Sequence, residues 1–372
     1  MINAVVNCRY NPFYCLFSHN CMENDSSRRK FIKTVALGAG VPITMGMPLR
    51  ALSFPLEEGE TKQLKTIKPA RLKKGDTVAI SSPSGAVWDD KLVSEFTAIL
   101  ESLGVKVITG NTLTQKFGFL AGNDQLRAKE LNDFFADTNV KAILSAKGGW
   151  GCARLLDKLD YETIKANPKI IMGFSDITSL LNAIYAKTGL VTFHGPVGNS
   201  SWGEFSMRYV KQVLFEGNRA LMRTTGYAQD TPITLTPGKA TGILVGGNMS
   251  VLTAMLGSNY LPDWKGKILF LEETAEEPYR LDRMLTHLKI AGVLEQLAGF
   301  VFGKCVKCDA EEPEKAFTFM EILDQQIKPL NIPAFYGAMI GHIENKYTLP
   351  IGVEVEMDAG KGTIQMLDAA VE

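Results

Sequence analysis

The stretch PKIIMGFSDITSLLNAIYAKTG, residues 168–189, sets Ser175 directly after an apolar run that closes on Gly173. A nucleophilic serine needs an exposed hydroxyl, a base within hydrogen-bond reach, and backbone N–H groups aimed at the developing oxyanion. A tight strand-to-helix turn would supply the first and the last, because a helix start offers free N–H groups and a dipole that favours negative charge. The pattern departs from the Gly-x-Ser-x-Gly elbow, since Ile177 stands where the second glycine would be. Serine at a helix start is also a common N-cap. Spacing alone leaves both roles open.

The chain has four histidines, His19, His194, His287 and His342. His19 precedes any domain, and His287 sits inside LDRMLTHLKIAG, where a helix-surface or satisfied half-buried role is the default. His194 closes the strand-like VTFHGP, one strand-helix unit beyond Ser175. His342 follows AMIG and opens a polar turn, a position from which loop residues often act. Residue spacing does not choose between these two. For the acid, GKILFLEET puts Glu272 and Glu273 straight after an apolar strand, where a carboxylate could orient an imidazole. Cys305 and Cys308 form a lone CxxC with no second pair or histidines to complete a zinc site, and read as a strand end; the odd cysteine count of the body points to no disulfide framework. HExxH is missing too, and neither metal nor cofactor is expected.

These residues need elements to position them. From residue 74 the pattern alternates strand and helix: GDTVAIS, then DDKLVSEFTAILESLG, VKVITG, NDQLRAKELNDFFAD, VKAILSAKGG, KIIMG, SDITSLLNAIYAKTG and LVTFHGP. Such alternation implies an α/β fold with a mostly parallel sheet, whose ligands bind beyond the carboxyl ends of the strands. The loops to watch are residues 81–85, 148–151 and 173–176. Periodicity fades over residues 199–238 and restarts with TGILVGG and GKILFLEET, which predicts a second, smaller α/β domain and a cleft between the two. The expected division is 1–66 as an extension and linker, 67–235 carrying the serine, and 236–372 carrying the Glu and His.

Composition narrows the function class. Lys plus Arg and Asp plus Glu both number 40 in 372 residues, so the net charge is zero and a nucleic acid partner is not expected. Arg28 and Arg29, in SRRKFIK ahead of an uncharged run, match a twin-arginine export signal, which would put the mature protein in the periplasm, with the cytoplasm as the alternative. Residues 34–49 are too short and too rich in Gly and Pro to span a bilayer. Translation is expected to begin at Met22.

Taken in order, GDTVAISSPSG, AKGGWGCARLLDKLDY, NPKIIMGFSDITSL, TFHGP, GGNMSVL, ILFLEETAEEPYRLDRML and IGHIENKYTLP resemble the LD-carboxypeptidase family of serine peptidases (family S66), the muramoyltetrapeptide carboxypeptidases, which also contains microcin C self-immunity peptidases. The resemblance runs from about residue 74 to the end. It implies a triad of Ser175 as nucleophile, Glu272 as orienting acid and His342 as base, an oxyanion hole from the N–H groups of Asp176 and Gly149, and a homodimer. It implies a murein peptide substrate, cleaved at an L,D-bond to release D-alanine. The family's glycine loop reads RGGYG, whereas this chain has Lys147, Gly148, Gly149 and Trp150 in KGGWG; lysine keeps the charge without the planar fork. Lys147, Gly148, Trp150 and Arg154 are the substrate-binding candidates, with Lys147 and Arg154 as cations for the free carboxylate. Two alternatives remain: a peptidase for peptide-nucleotide or acyl-adenylate conjugates with the same triad, and a muropeptide-binding protein without turnover.

Overall fold

Residues 65–372 are described by the structure, a computed structural model. The twin-arginine stretch, Met22, His19 and the first three cysteines lie outside the described residues.

Six strands form the first sheet, in the order β12–β5–β4–β3–β1–β2. β1 (Thr77–Ser81), β2 (Lys106–Thr109), β3 (Val140–Ser145), β4 (Ile170–Gly173) and β5 (Thr192–His194) run parallel, and β12 (Leu349–Ile351) closes the edge antiparallel to β5. Val78 to Ile80, Ile143, Leu144 and Ile170 to Met172 are all buried. Unbroken apolar runs of this kind belong to parallel strands covered on both faces. Helix Asp90–Ser102 is capped by Asp89, whose side chain accepts from the Lys91 N–H, and helix Asp124–Ala136 by Asn123, which accepts from Leu126.

Helix Thr178–Thr188 is different, because nine of its 11 residues are buried. A helix buried nearly all round must lie between two layers. One is the first sheet. The other is an eight-stranded sheet, β6–β14–β13–β8–β9–β10–β11–β7, whose strands β8 (Lys239–Asn248), β9 (Ile268–Thr274), β10 (Gly299–Val306) and β11 (Ala334–Tyr336) are parallel. Antiparallel strands flank them: β7 (Ile233–Thr236) on one side, and β13 (Glu354–Asp358), β14 (Thr363–Met366) and β6 (Leu221–Met222) on the other. The Asn182 amide donates to the Gly246 carbonyl at 2.9 Å, and the Asn248 N–H donates to Thr178 Oγ1 at 3.0 Å, so the helix is bonded directly to β8.

β9 divides its side chains by parity, as a strand must. Ile268 and Phe270 join the large core shared with the first sheet, while Leu269 and Leu271 join a smaller core with Leu281, Leu285 and Leu288 of helix Pro278–Ile290.

The strands cross the expected boundary at 235/236. β6 and β7 lie before or at it yet belong to the second sheet, and β12 lies far beyond it yet completes the first. Of the second sheet's eight strands, those in the polar stretch 199–238 are short, which is why their periodicity was too weak to read. The sheet reads small in sequence for the same reason. Its four antiparallel flanking strands are only 2–5 residues each.

Candidate active site

Ser175 stands two residues past β4, in a single 3-10 turn, Ser175–Ile177, that leads into helix Thr178–Thr188. Its φ is +64°, a left-handed conformation that side chains other than Gly and Asn seldom adopt. The side chain caps neither the turn nor the helix, and among the described residues Ser175 Oγ has no hydrogen-bond partner. The cap role left open by the spacing is therefore unused. Fixed backbone strain with an uncommitted hydroxyl is what a presented nucleophile requires.

The glycine loop lies against this turn. A Cβ on Gly148 would stand 2.8 Å from Ser175 Cβ and 3.0 Å from its Oγ, so only glycine lets the loop approach so closely. The Gly85 N–H donates to the Gly148 carbonyl at 3.4 Å, tying in the loop after β1. The side chain of Asp176 joins the three segments. Its Oδ2 accepts from Ser84 Oγ at 2.6 Å and from the Cys152 N–H at 2.9 Å, and the residue is buried. Sequence reasoning had used only the Asp176 backbone. A signal existed: Asp176 is the one charged residue between positions 170 and 186. Arg127, fully buried, donates to the carbonyls of Pro83 and Gly151 and braces the same loops from behind.

Glu272 continues the Ile268–Phe270 side of β9 and so points toward the first sheet; its Oε2 meets His342 Nδ1 at 2.8 Å. Glu272 is fully buried and the His342 side chain is 24% exposed. The carboxylate thus fixes the ring through Nδ1 and leaves Nε2 outside that contact. Gly341 permits the approach, with a φ of +102° and a Cβ position 2.8 Å from Glu272 Cβ. Glu273, of opposite parity, accepts instead from Asn248 Nδ2 and from the N–H groups of Ser250 and Thr274 at 2.8–2.9 Å. Burial pushes its carboxyl above the ordinary range. It anchors the start of helix Met249–Ala254 and takes no part in the dyad.

His194 is also close to the site, but buried between Phe174 and Phe270, and neither ring nitrogen has a partner among the described residues. Burial pulls it down to about 4, against the opposing pull of Glu272, with His342 and Lys346 adding to the drop. It is a neutral ring at neutral pH. His287 lies exposed on helix Pro278–Ile290, as expected. Phe174 and Lys346 were not foreseen. The Phe174 ring packs edge-on to His342 at 4.8 Å, and the Lys346 ammonium lies 5.5 Å from the same ring.

Of the substrate-binding candidates, Arg154 is paired with Asp124 at 3.0 Å, and Lys147 Nζ donates to the Ala86 carbonyl at 3.2 Å. Trp150 is exposed and packs edge-on to Phe119 at 6.2 Å. The N–H of Gly149 meets no acceptor among the described residues, and that of Asp176 lies in the first turn, where intrahelical acceptors are lacking. Cys305 and Cys308 correct the sequence expectation: they are joined in a disulfide at the end of β10, where Cys305 is the lateral neighbour of Glu273. An odd count rules out a full framework but leaves room for one pair, and a separation of three residues is sufficient to close a turn.

Two family profiles match, described as the LD-carboxypeptidase N-terminal domain over residues 78–195 and the LD-carboxypeptidase C-terminal domain over residues 241–357. The chain is 38% identical over 297 residues, 80% of its length and 93% of the relative's, to a protein of Bacillus subtilis described as a probable murein peptide carboxypeptidase. Among solved structures, an MccF-like protein from Bacillus anthracis superposes with a TM-score of 0.74 at 31% identity, covering 82% of this chain and 100% of that one. A muramoyltetrapeptide carboxypeptidase from Oxalobacter formigenes does so with a TM-score of 0.68 at 26% identity, over 78% and 97%. With its two sheets, its helix-linked layers and both family domains matched in order, the chain belongs to the LD-carboxypeptidase family of peptidases.

Proposed function

We propose that the protein is a serine-type LD-carboxypeptidase that releases the terminal D-alanine of a murein tetrapeptide. The observation that carries this is the Glu272–His342 pair, 2.8 Å long and half sealed from water, on the same side of the second sheet as the strained Ser175 turn. His342 takes the proton from Ser175 Oγ as the oxygen attacks the carbonyl carbon of the L,D-bond. The N–H groups of Gly149 and Asp176 receive the oxyanion. On collapse the C–N bond breaks, and His342 returns the proton to the amine of the departing D-alanine. Water then attacks the acyl-serine, with His342 again the base, and Ser175 Oγ leaves protonated. The Ser175–His342 hydrogen bond is not formed in this structure; such contacts tighten when substrate fills the site. An exported enzyme would act on the wall itself rather than on recycled fragments.

Mass spectrometry of L-Ala-D-Glu-meso-diaminopimelate-D-Ala incubated with the protein is the test. Loss of one alanine, abolished in Ser175→Ala with the fold intact, is expected. An untouched tetrapeptide would move the reading to nucleotide-peptide conjugates or to binding without turnover, and full activity in Ser175→Ala would remove the serine from its role.

A further inference from the structure

A carboxypeptidase must recognise the free carboxylate that distinguishes a chain end from an internal bond, and the two cations anticipated for this are already engaged, Arg154 by Asp124 and Lys147 by the Ala86 carbonyl. We propose that the Lys346 ammonium is the receptor for the substrate's terminal carboxylate, an inference that rests on the carboxypeptidase reading above.

Lys346 is only 3% exposed, which is rare for a lysine without a paired acid. Among the described residues no carboxylate lies within ion-pair distance of its Nζ, and its acceptor is the Glu344 carbonyl at a long 3.4 Å. Burial draws it down to about 8, with Glu272 and Glu344 pulling the other way. A desolvated ammonium in this state gains more from an incoming anion than an exposed one would. Its position is also suitable. The ammonium lies 5.5 Å from the centroid of Phe174, the residue preceding Ser175, and the same ring touches His342. In a terminal D-alanine the carboxylate carbon is three bonds from the scissile carbonyl carbon, roughly 3–4 Å away. The receptor must therefore lie near the nucleophile, and the Lys346 ammonium sits against the ring of Phe174, the residue next to it in the chain. A longer peptide would set an uncharged amide against this ammonium and leave it unpaired, and such mismatches at buried polar groups discriminate strongly.

The experiment compares the tetrapeptide acid with its C-terminal carboxamide, using the full chain. The wild type is expected to prefer the acid by roughly 100-fold in kcat/KM. Lys346→Met should lose roughly that factor on the acid, chiefly through KM, and little on the amide, so that the preference collapses. Lys346→Arg should retain part of it. A wild type that cleaves both substrates equally, or a Met variant that slows both in parallel, overturns the proposal while leaving the carboxypeptidase reading standing; a wild type inert toward the tetrapeptide removes both. If Lys346→Met does not fold, the wild-type ratio and Lys346→Arg decide, and an Arg variant in which acid and amide fall together overturns it.

Discussion

Around Ser175 the fold works with backbone geometry: a φ of +64°, a glycine whose missing Cβ makes room 2.8 Å from the serine, and loops tied by N–H and hydroxyl groups to Asp176. Around His342 it works with charge: a carboxylate of zero exposure, one hydrogen bond to the ring, and an ammonium 5.5 Å from the Phe174 ring that packs on His342. The first arrangement is steric and responds to volume. The second is electrostatic and responds to charge and pH. The proposed site is thus positioned by two means that different substitutions can separate.

The largest effect should come from the charged side. Glu272→Gln preserves shape but removes the ion that holds the imidazole in its tautomer, so kcat should fall by roughly 10³–10⁴ with the melting temperature little changed; equal activity would mean that the pair is only structural. On the steric side, Gly148→Ala should lower kcat by roughly 10²-fold or more by displacing the serine, with KM less affected. Steady-state kinetics on folded protein checks both, and a charge-neutral change that left the rate intact would contradict the steric account.

A pH experiment separates the buried ring of His194 from the ring of His342, the base of the proposed mechanism. His194 lies at about 4 in the folded state against an ordinary 6.5, so the unfolded chain binds the extra proton between those values. Its contribution to stability is present above about pH 6.5 and is lost as pH falls toward 4, a change worth about 3 kcal/mol. Thermal melts of His194→Leu should show a shallower loss over that window, while its activity at neutral pH persists. The smallest effect is expected for Glu273→Gln: an amide N–H would face one of three donors, costing about 2 kcal/mol of stability with turnover within a few-fold.

The first sheet was legible because its strands alternate with helical runs, two of them opened by the capping side chains of Asp89 and Asn123, a local signal. The glycine loops were legible for the same reason. The choice between Glu272 and Glu273 was half legible: alternation puts them on opposite faces of β9, but which face meets the first sheet is decided by helix Thr178–Thr188 bonding to β8, far away in sequence. The fate of His194 was hidden likewise, since its burial depends on Phe270 from the other sheet. Lys346 gave no sign at all, because a lysine in a polar turn looks solvated until the fold closes over it.

β12 pairs Leu349 with His194, and at the very end of the chain the Glu372 N–H donates to the Pro69 carbonyl while the Arg71 N–H donates back to Glu372. During synthesis, then, the edge of the first sheet stays open until residues 349–351 have left the ribosome, while the segment before β1 is held earlier by Ile67, which exchanges backbone hydrogen bonds with Gly189 and Val191. A chain cut between His342 and Leu349 would carry Ser175, Glu272 and His342 on a sheet whose β5 edge is bare.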